Sequence, residues 1–212
     1  MATVLAYHAI FCTHGFWLPN DPRGSCSVTV RYDPLKVFGE ATTVVHARSV
    51  AAAPHDRGLR LAAKLAMKYP EVVFTGVQAR AVGHGFAAQI AKSGYKVHAC
   101  VILPKHSHLV ISRHRYQVEQ VVRLLRQSAT TRLLAENLHP FAARRDEKGR
   151  LPSVWGQDFW KVFLFEPVDV ERAIHYVENN PENEGLPPQT WPFVTPYRVD
   201  GMGVADASAK RR

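Results

Sequence analysis

Cysteine is scarce and scattered in this chain. Cys12, Cys26 and Cys100 are the three in 212 residues. Odd in number and far apart, they make neither a disulfide framework nor a zinc-ligand spacing. Reduced, packed side chains are the reading that fits, and they suit a cytoplasmic protein. Long apolar runs are missing too. Mean hydropathy is −0.17, and no stretch approaches the ~20 residues that a membrane-spanning helix needs. Met1 to Thr13 has no positive start before its apolar stretch, so a secretory leader is not expected. There is no internal repeat and no long low-complexity tract. Acid is in deficit as well: 18 Asp and Glu stand against 27 Lys and Arg, for a formal net charge of +9.

That charge favours polyanions, and nucleic acid is the commonest of these in cytoplasm. Between Arg113 and Arg150 there are nine Arg or Lys against four Asp or Glu. A merely solvated surface is the plainer alternative. Hydrophobic residues make up 46% of the sequence, enough for a real core. The length suits one domain with an insertion.

The most informative stretch is His106-Ser107-His108, between Val101-Ile102-Leu103-Pro104-Lys105 and Leu109-Val110-Ile111. Apolar flanks predict a strand, on which residues i and i+2 share a face. Both imidazoles then point the same way and offer two of the ligands that a divalent metal needs. Paired histidines on a strand are also ordinary half-buried polar residues, and a lone His-x-His is a weak motif.

Patterning gives the order of elements. Val4 to Thr13 reads as a strand, and Phe16 to Ser25 (FWLPNDPRGS) as a turn-rich loop. Arg31 to Ala53 has no clear pattern. Asp56 to Tyr69 reads as a helix ended by Pro70, and Val72 to Phe74 as a short strand or a lead-in. Thr75 is placed to cap a helix running to about Lys92, weakened by Gly83 and Gly85 at about 1 kcal/mol each relative to Ala. Tyr95 to Leu103 and His106 to Ser112 are strands joined at Pro104-Lys105. Tyr116 to Asn137 repeats apolar residues at helical spacing through Val118, Val121, Val122, Leu125 and Ala129. His139 to Pro152 is polar and loop-like. Trp160 to Phe165 is a last strand. Asp169 caps a last helix with Val170, Ala173, Ile174 and Val177 inward, stopped by Pro181. The sum is an α+β domain over residues 1–197. It has a ferredoxin-like antiparallel sheet of the split β-α-β kind, an insertion over 16–74, and a flexible basic tail over 198–212.

On the last helix, Asp169, Arg172, Tyr176 and Asn180 fall in one polar stripe beside the apolar one. A tyrosine there ordinarily packs its ring and bonds its hydroxyl. The backbone of Asn180 is pushed from helical geometry by Pro181. Its amide oxygen is a sound hard ligand for Mg²⁺ or Mn²⁺, and an asparagine at a helix terminus is equally ordinary.

Leu103-Pro104-Lys105-His106-Ser107-His108-Leu109-Val110 resembles the histidine strand of single-tyrosine HUH transposases, in particular the REP-associated tyrosine transposases. Ala173-Ile174-His175-Tyr176-Val177-Glu178-Asn179-Asn180-Pro181, followed by Gly185-Leu186, is similar to their tyrosine helix. Phe16 to Ser25 resembles a Trp-Leu-Pro-Gly-Asp-x-Arg-Gly loop of part of that group. Trp155, Trp160 and Trp191-Pro192-Phe193 fit as well, so the resemblance runs from about Leu5 to Tyr197. It departs at Lys105 for Asn, at Ser107 for an apolar residue, and at Asn20 for Gly. It implies metal-dependent cleavage and rejoining of single-stranded DNA through a 5′-phosphotyrosine, with Tyr176 as nucleophile. It also implies that His106, His108 and Asn180 hold Mg²⁺ or Mn²⁺. Single-stranded or hairpin DNA is the expected partner, and no membrane is. The chain is expected to be a monomer or homodimer, cytoplasmic and nucleoid-associated when DNA-bound. Candidate DNA contacts are Arg23, Arg123, Arg126 and Arg172 for phosphates, and Trp17 or Trp155 for stacked bases.

Other functions compete. A non-catalytic or domesticated nucleic-acid-binding protein on the same fold would look alike. A histidine-triad hydrolase wants a third alternating histidine, where position 110 is Val. A two-histidine phosphodiesterase wants two His-x-Thr/Ser motifs, and one candidate pair is visible. Replication or mobilisation initiators share the chemistry but normally carry further domains.

Overall fold

The computed structural model describes residues 3–43, 50 and 52–198. Strand β1 (Ala6–Thr13) leads through two short helices, α1 (Asp33–Lys36) and α2 (Arg57–Leu65), to the long helix α3 (Gly76–Ser93). Strands β2 (Val97–Ile102) and β3 (His106–Ser112), helix α4 (Val118–Ala135), strand β4 (Trp155–Leu164) and helix α5 (Pro167–Asn183) follow. The sheet order is β2-β3-β1-β4, with every pairing antiparallel. Strand β3 therefore lies between β1 and β2, which α3 connects, and this is the split arrangement expected from the element order. No helix among the described residues is long and apolar enough to cross a membrane.

Alternation along the strands divides the side chains between two faces. Tyr7, Ala9, Phe11, Leu109 and Ile111 join Val82, Phe86, Val121, Val122 and Leu125 in the larger core, under α3 and α4. Ala6, Ala99, Val101, Val110 and Leu164 meet Val170, Ala173 and Val177 of α5 in the smaller one. The two even-numbered histidines of β3 thus share the face that α5 covers.

Local chemistry sets most boundaries. Thr75 and Gln78 form a reciprocal capping box on α3, and Gly94 closes it at φ +69°. Asp56 caps α2 through the Leu59 amide at 2.9 Å. That helix ends at Leu65 rather than Tyr69. Helix α4 spans Val118–Ala135, slightly inside the expected bounds. Residues 72–74 form no strand. The Val72 and Phe74 amides instead donate to the His14 and Pro104 carbonyls, drawing an extended lead-in across the sheet end.

Three expectations are corrected. Strand β4 begins at Trp155, not Trp160, although Gly156 and Asp158 are poor strand formers. Pairing of Trp155 with Thr13 holds this start. Arg126 reinforces it by donating to the carbonyls of Gly156, Gln157 and Asp158 at 3.0–3.2 Å. Helix α5 begins at Pro167, with Glu166 rather than Asp169 at the cap position. It also runs through Pro181 to Asn183. The proline falls in the last turn, and the Leu186 amide closes onto the Pro181 carbonyl at 2.8 Å, with Gly185 at φ +67°. Of the unpatterned 31–53 segment, the described part contains α1 and a bridge between Ser25 and Thr43. The expected tail lies outside the described residues, Arg198 excepted.

The outer edge of β2 is covered by the C-terminal segment. Gln189 binds both backbone groups of Ile102 at 2.9 Å, and Thr195 donates its amide to the Val97 carbonyl.

Candidate functional site

The register places His8 opposite Val110, Ile10 opposite His108, and Cys12 opposite His106. His8 is therefore the diagonal neighbour of His108 on the α5 face, close enough for long side chains to meet. His8 Nε2 lies 2.9 Å from His108 Nδ1, with both residues buried. The His106 and His108 rings stand 4.9 Å apart at 69°. The far side of His106 is stacked on Phe16 at 5.3 Å and 10°. Ser107 points to the opposite, α3–α4 face and is fully buried, its hydroxyl without a partner among the described residues.

Helix α5 supplies the rest. Its apolar stripe is clamped on the sheet, so residues one position round the helix project along the margin of that contact. Tyr176 lies there, 46% exposed, its ring edge-on to His8 and to His108 with centroids 5.7 Å from each. Its hydroxyl has no hydrogen-bond partner among the described residues. One turn later the buried Asn180 brings Nδ2 to 3.4 Å from His108 Nε2. One turn further, Glu184 Oε1 stands 3.5 Å from His106 Nε2. Tyr176, Asn180 and Glu184 thus form a row at four-residue spacing, facing a row of histidines.

Burial sets the electrostatics. It pushes His8 and His106 down to about 4. His108 is held well below its ordinary value, first by burial and then by the charges of His106 and His8. All three are neutral imidazoles near neutral pH, with lone pairs available. Burial pushes the Glu184 carboxyl up, against a smaller opposing pull from Lys105. Lys105 itself is paired with Glu71 at 3.2 Å.

Among the described residues, no group of three or more His, Cys, Asp or Glu side chains is already gathered as a metal cage. The donor chemistry is nonetheless that of a divalent-cation site: two neutral imidazoles, an amide and a carboxylate. His106 Nδ1 is buried without a hydrogen-bond partner, which leaves this ring a nitrogen still unsatisfied. The amide and carboxylate oxygens are donors that suit Mg²⁺ or Mn²⁺, and the two imidazoles are general divalent-cation donors.

The candidate DNA contacts are divided between two faces. Arg172 is exposed on α5, 3.8 Å from Asp169. Trp17, Arg123 and Arg126 line a groove of about 860 Å³ beside α4, on the other face of the sheet. Within it Arg123 is exposed. Arg126 is bound to the β4 carbonyls and lies over the Phe11 ring at 5.1 Å. Arg23 is held by Asp21 at 2.9 Å and lies over Trp17 at 4.1 Å, bracing the first loop. Trp155 is a core residue, packed among Phe11, Phe74 and Phe86, its indole N–H donating to Thr130 and to the Arg126 carbonyl.

Sequence reasoning missed His8 and Glu184. Nothing in the sequence sets the β1–β3 register that brings His8 to His108. Glu184 continues the four-residue spacing of Tyr176 and Asn180, but Pro181 reads in the sequence as a helix stop before it.

No protein-family description and no curated protein matches the sequence. Among solved structures, the chain is similar to a REP-associated tyrosine transposase bound to a REP hairpin. Identity there is 12% and the TM-score 0.45, over 87% of this chain and 72% of that one. It is also similar to a candidate transposase from Deinococcus radiodurans, at 12% identity and a TM-score of 0.42, over 84% of this chain and 92% of that one.

Proposed function

We propose that the protein is a single-tyrosine HUH-type enzyme that cleaves and rejoins single-stranded DNA, with Tyr176 as its nucleophile. The observation that carries this reading is the contact of the exposed Tyr176 ring with His108, 5.7 Å between centroids, within one chain. Tyr176 is 46% exposed, its ring is edge-on to two buried histidines, and its hydroxyl has no partner among the described residues, which supports a chemical rather than a purely packing role.

In the proposed step, the Tyr176 oxygen bonds to a backbone phosphorus and the bond from phosphorus to the 3′-oxygen breaks. The phenol gives up its proton and the departing 3′-oxygen gains one, so no water and no nucleotide cofactor are consumed. The product is a 5′-phosphotyrosine and a free 3′-hydroxyl, and a 3′-hydroxyl reverses the exchange to rejoin strands. His106, His108 and Asn180 would hold Mg²⁺ or Mn²⁺, with the Glu184 carboxylate beside them. Such a cation, when bound, polarises the phosphoryl oxygen and offsets the charge that builds there. Asn180 and Tyr176 share one helical edge, so α5 keeps the nucleophile and a ligand in fixed relation.

The experiment is incubation with an end-labelled hairpin oligonucleotide carrying single-stranded flanks, in Mn²⁺. A denaturant-resistant protein–DNA adduct is expected, joined to the new 5′ end created at the break and absent from Tyr176→Phe. DNA binding without any adduct would instead mark a non-catalytic nucleic-acid-binding protein. Cleavage that survives Tyr176→Phe would place the nucleophile elsewhere.

A further inference from the structure

The histidine that sequence reasoning overlooked has no role in the chemistry above, yet it makes the shortest polar contact in the site. His8 Nε2 and His108 Nδ1 are 2.9 Å apart, so one donates and the other accepts. The third partner decides which. The amide nitrogen of Asn180, a pure donor, faces His108 Nε2 at 3.4 Å. With the Asn180 amide in this orientation, His108 Nε2 accepts, its proton sits on Nδ1, and that proton is given to His8.

We propose that His8 is a positioning residue that locks His108 in the tautomer whose Nε2 lone pair faces the α5 row. This rests on the divalent-cation reading of the site. His8 is not itself a ligand, because its Nε2 is occupied by His108. Ring orientation is fixed at the same time: His8 on β1 holds one end of the His108 imidazole while Asn180 on α5 meets the other. An acceptor of this kind behind a ligating histidine fixes its tautomer and ring orientation, and removing one typically costs 10–100-fold in metal affinity. To serve as a ligand beside His108 Nε2, the Asn180 amide would turn over and present its oxygen instead of its nitrogen.

Two readouts on the full-length chain test this. In metal-free protein, long-range ¹H–¹⁵N spectra of the histidine side chains should show His108 protonated on Nδ1 in the wild type. In His8→Phe the proton should move to Nε2. By calorimetry with MnCl₂, affinity should fall about 10–100-fold in His8→Phe and recover in large part in His8→Gln, whose amide oxygen can accept the Nδ1–H. The proposal is overturned by wild-type His108 protonated on Nε2, by Mn²⁺ affinity unchanged in His8→Phe, or by an equal loss in His8→Gln and His8→Phe. Wild-type protein that binds no Mn²⁺ overturns the cation reading of the site and with it this role for His8. Failure of His8→Phe alone leaves that reading standing.

Discussion

Gly85 of α3 and Ala129 of α4 are in backbone contact. A Cβ added at Gly85 would lie 2.5 Å from Ala129 Cα and 2.8 Å from the Ser128 carbonyl oxygen. Ser128 fastens the crossing by donating its hydroxyl to the Gly85 carbonyl at 2.7 Å. Gly83, two residues earlier and on the other side of α3, lies against Trp191, where a Cβ would meet the indole at 2.1 Å. These glycines weaken α3 as an isolated helix and let it approach its neighbour as a packed one.

Gly85→Ala is therefore expected to destabilise the fold, although alanine is the better helix former by about 1 kcal/mol. The obstruction is backbone, which cannot swing aside, and overpacking of this kind costs roughly 1–3 kcal/mol or more. Urea denaturation measures it. A Gly85→Ala protein more stable than wild type would contradict the close crossing.

Arg126 and Arg123 sit on the same helix and in the same groove, with opposite expectations. Arg126→Ala strands three β4 carbonyls and is expected to cost roughly 2–4 kcal/mol. Arg126→Lys should recover little, since an ammonium cannot fork to three acceptors in this geometry. Arg123→Ala should leave stability within about 0.5 kcal/mol. It should also weaken binding to single-stranded oligonucleotides of any sequence and lower the salt slope by about one. An unchanged slope would remove Arg123 from the DNA-contacting surface.

Acid should unfold the metal-free protein early. Unfolded histidines take up protons near pH 6.5, whereas folded His8 and His106 resist them down to about 4. In that window the unfolded chain binds more protons, so stability is full above 6.5 and falls as the pH drops towards 4. Each such histidine contributes about 1.4 kcal/mol per pH unit across the window. Denaturation midpoints at pH 7.5 and pH 5 in EDTA check this, and equal midpoints would refute it.

Mn²⁺ should raise the melting temperature, and EDTA should reverse the rise. Saturation at a hundred times the dissociation constant is worth about 2.7 kcal/mol. Asn180→Ala should reduce the shift, and His106→Ala with His108→Ala should remove it. Tyr176→Phe should keep it, since the hydroxyl has no partner among the described residues.

The sequence carried the element order, the shared face of His106 and His108, and the polar stripe with Tyr176 and Asn180, because period-2 and period-3.6 patterns are local. What it hid was non-local. Pairing of Trp155 with Thr13, and the fork of Arg126, turn a weak strand start into β4. Chain closure after Gly185 carries α5 past a proline that looks like a stop. The glycines of α3 looked like defects because their reason lies on α4. His8 looked like one more residue of an alternating strand until the β1–β3 register paired it with His108.

The clasp of Gln189 and Thr195 on β2 has a consequence for how this protein can be handled. A strand margin with bare amides and carbonyls invites a second chain to add itself. Here residues 189–195 prevent that, the Gln189 side chain imitating the missing neighbour at Ile102. A version trimmed after Gly185 would keep every residue assigned to chemistry, yet it would at once lose Leu186, Trp191 and Phe193 from the two cores and bare the β2 edge to self-association.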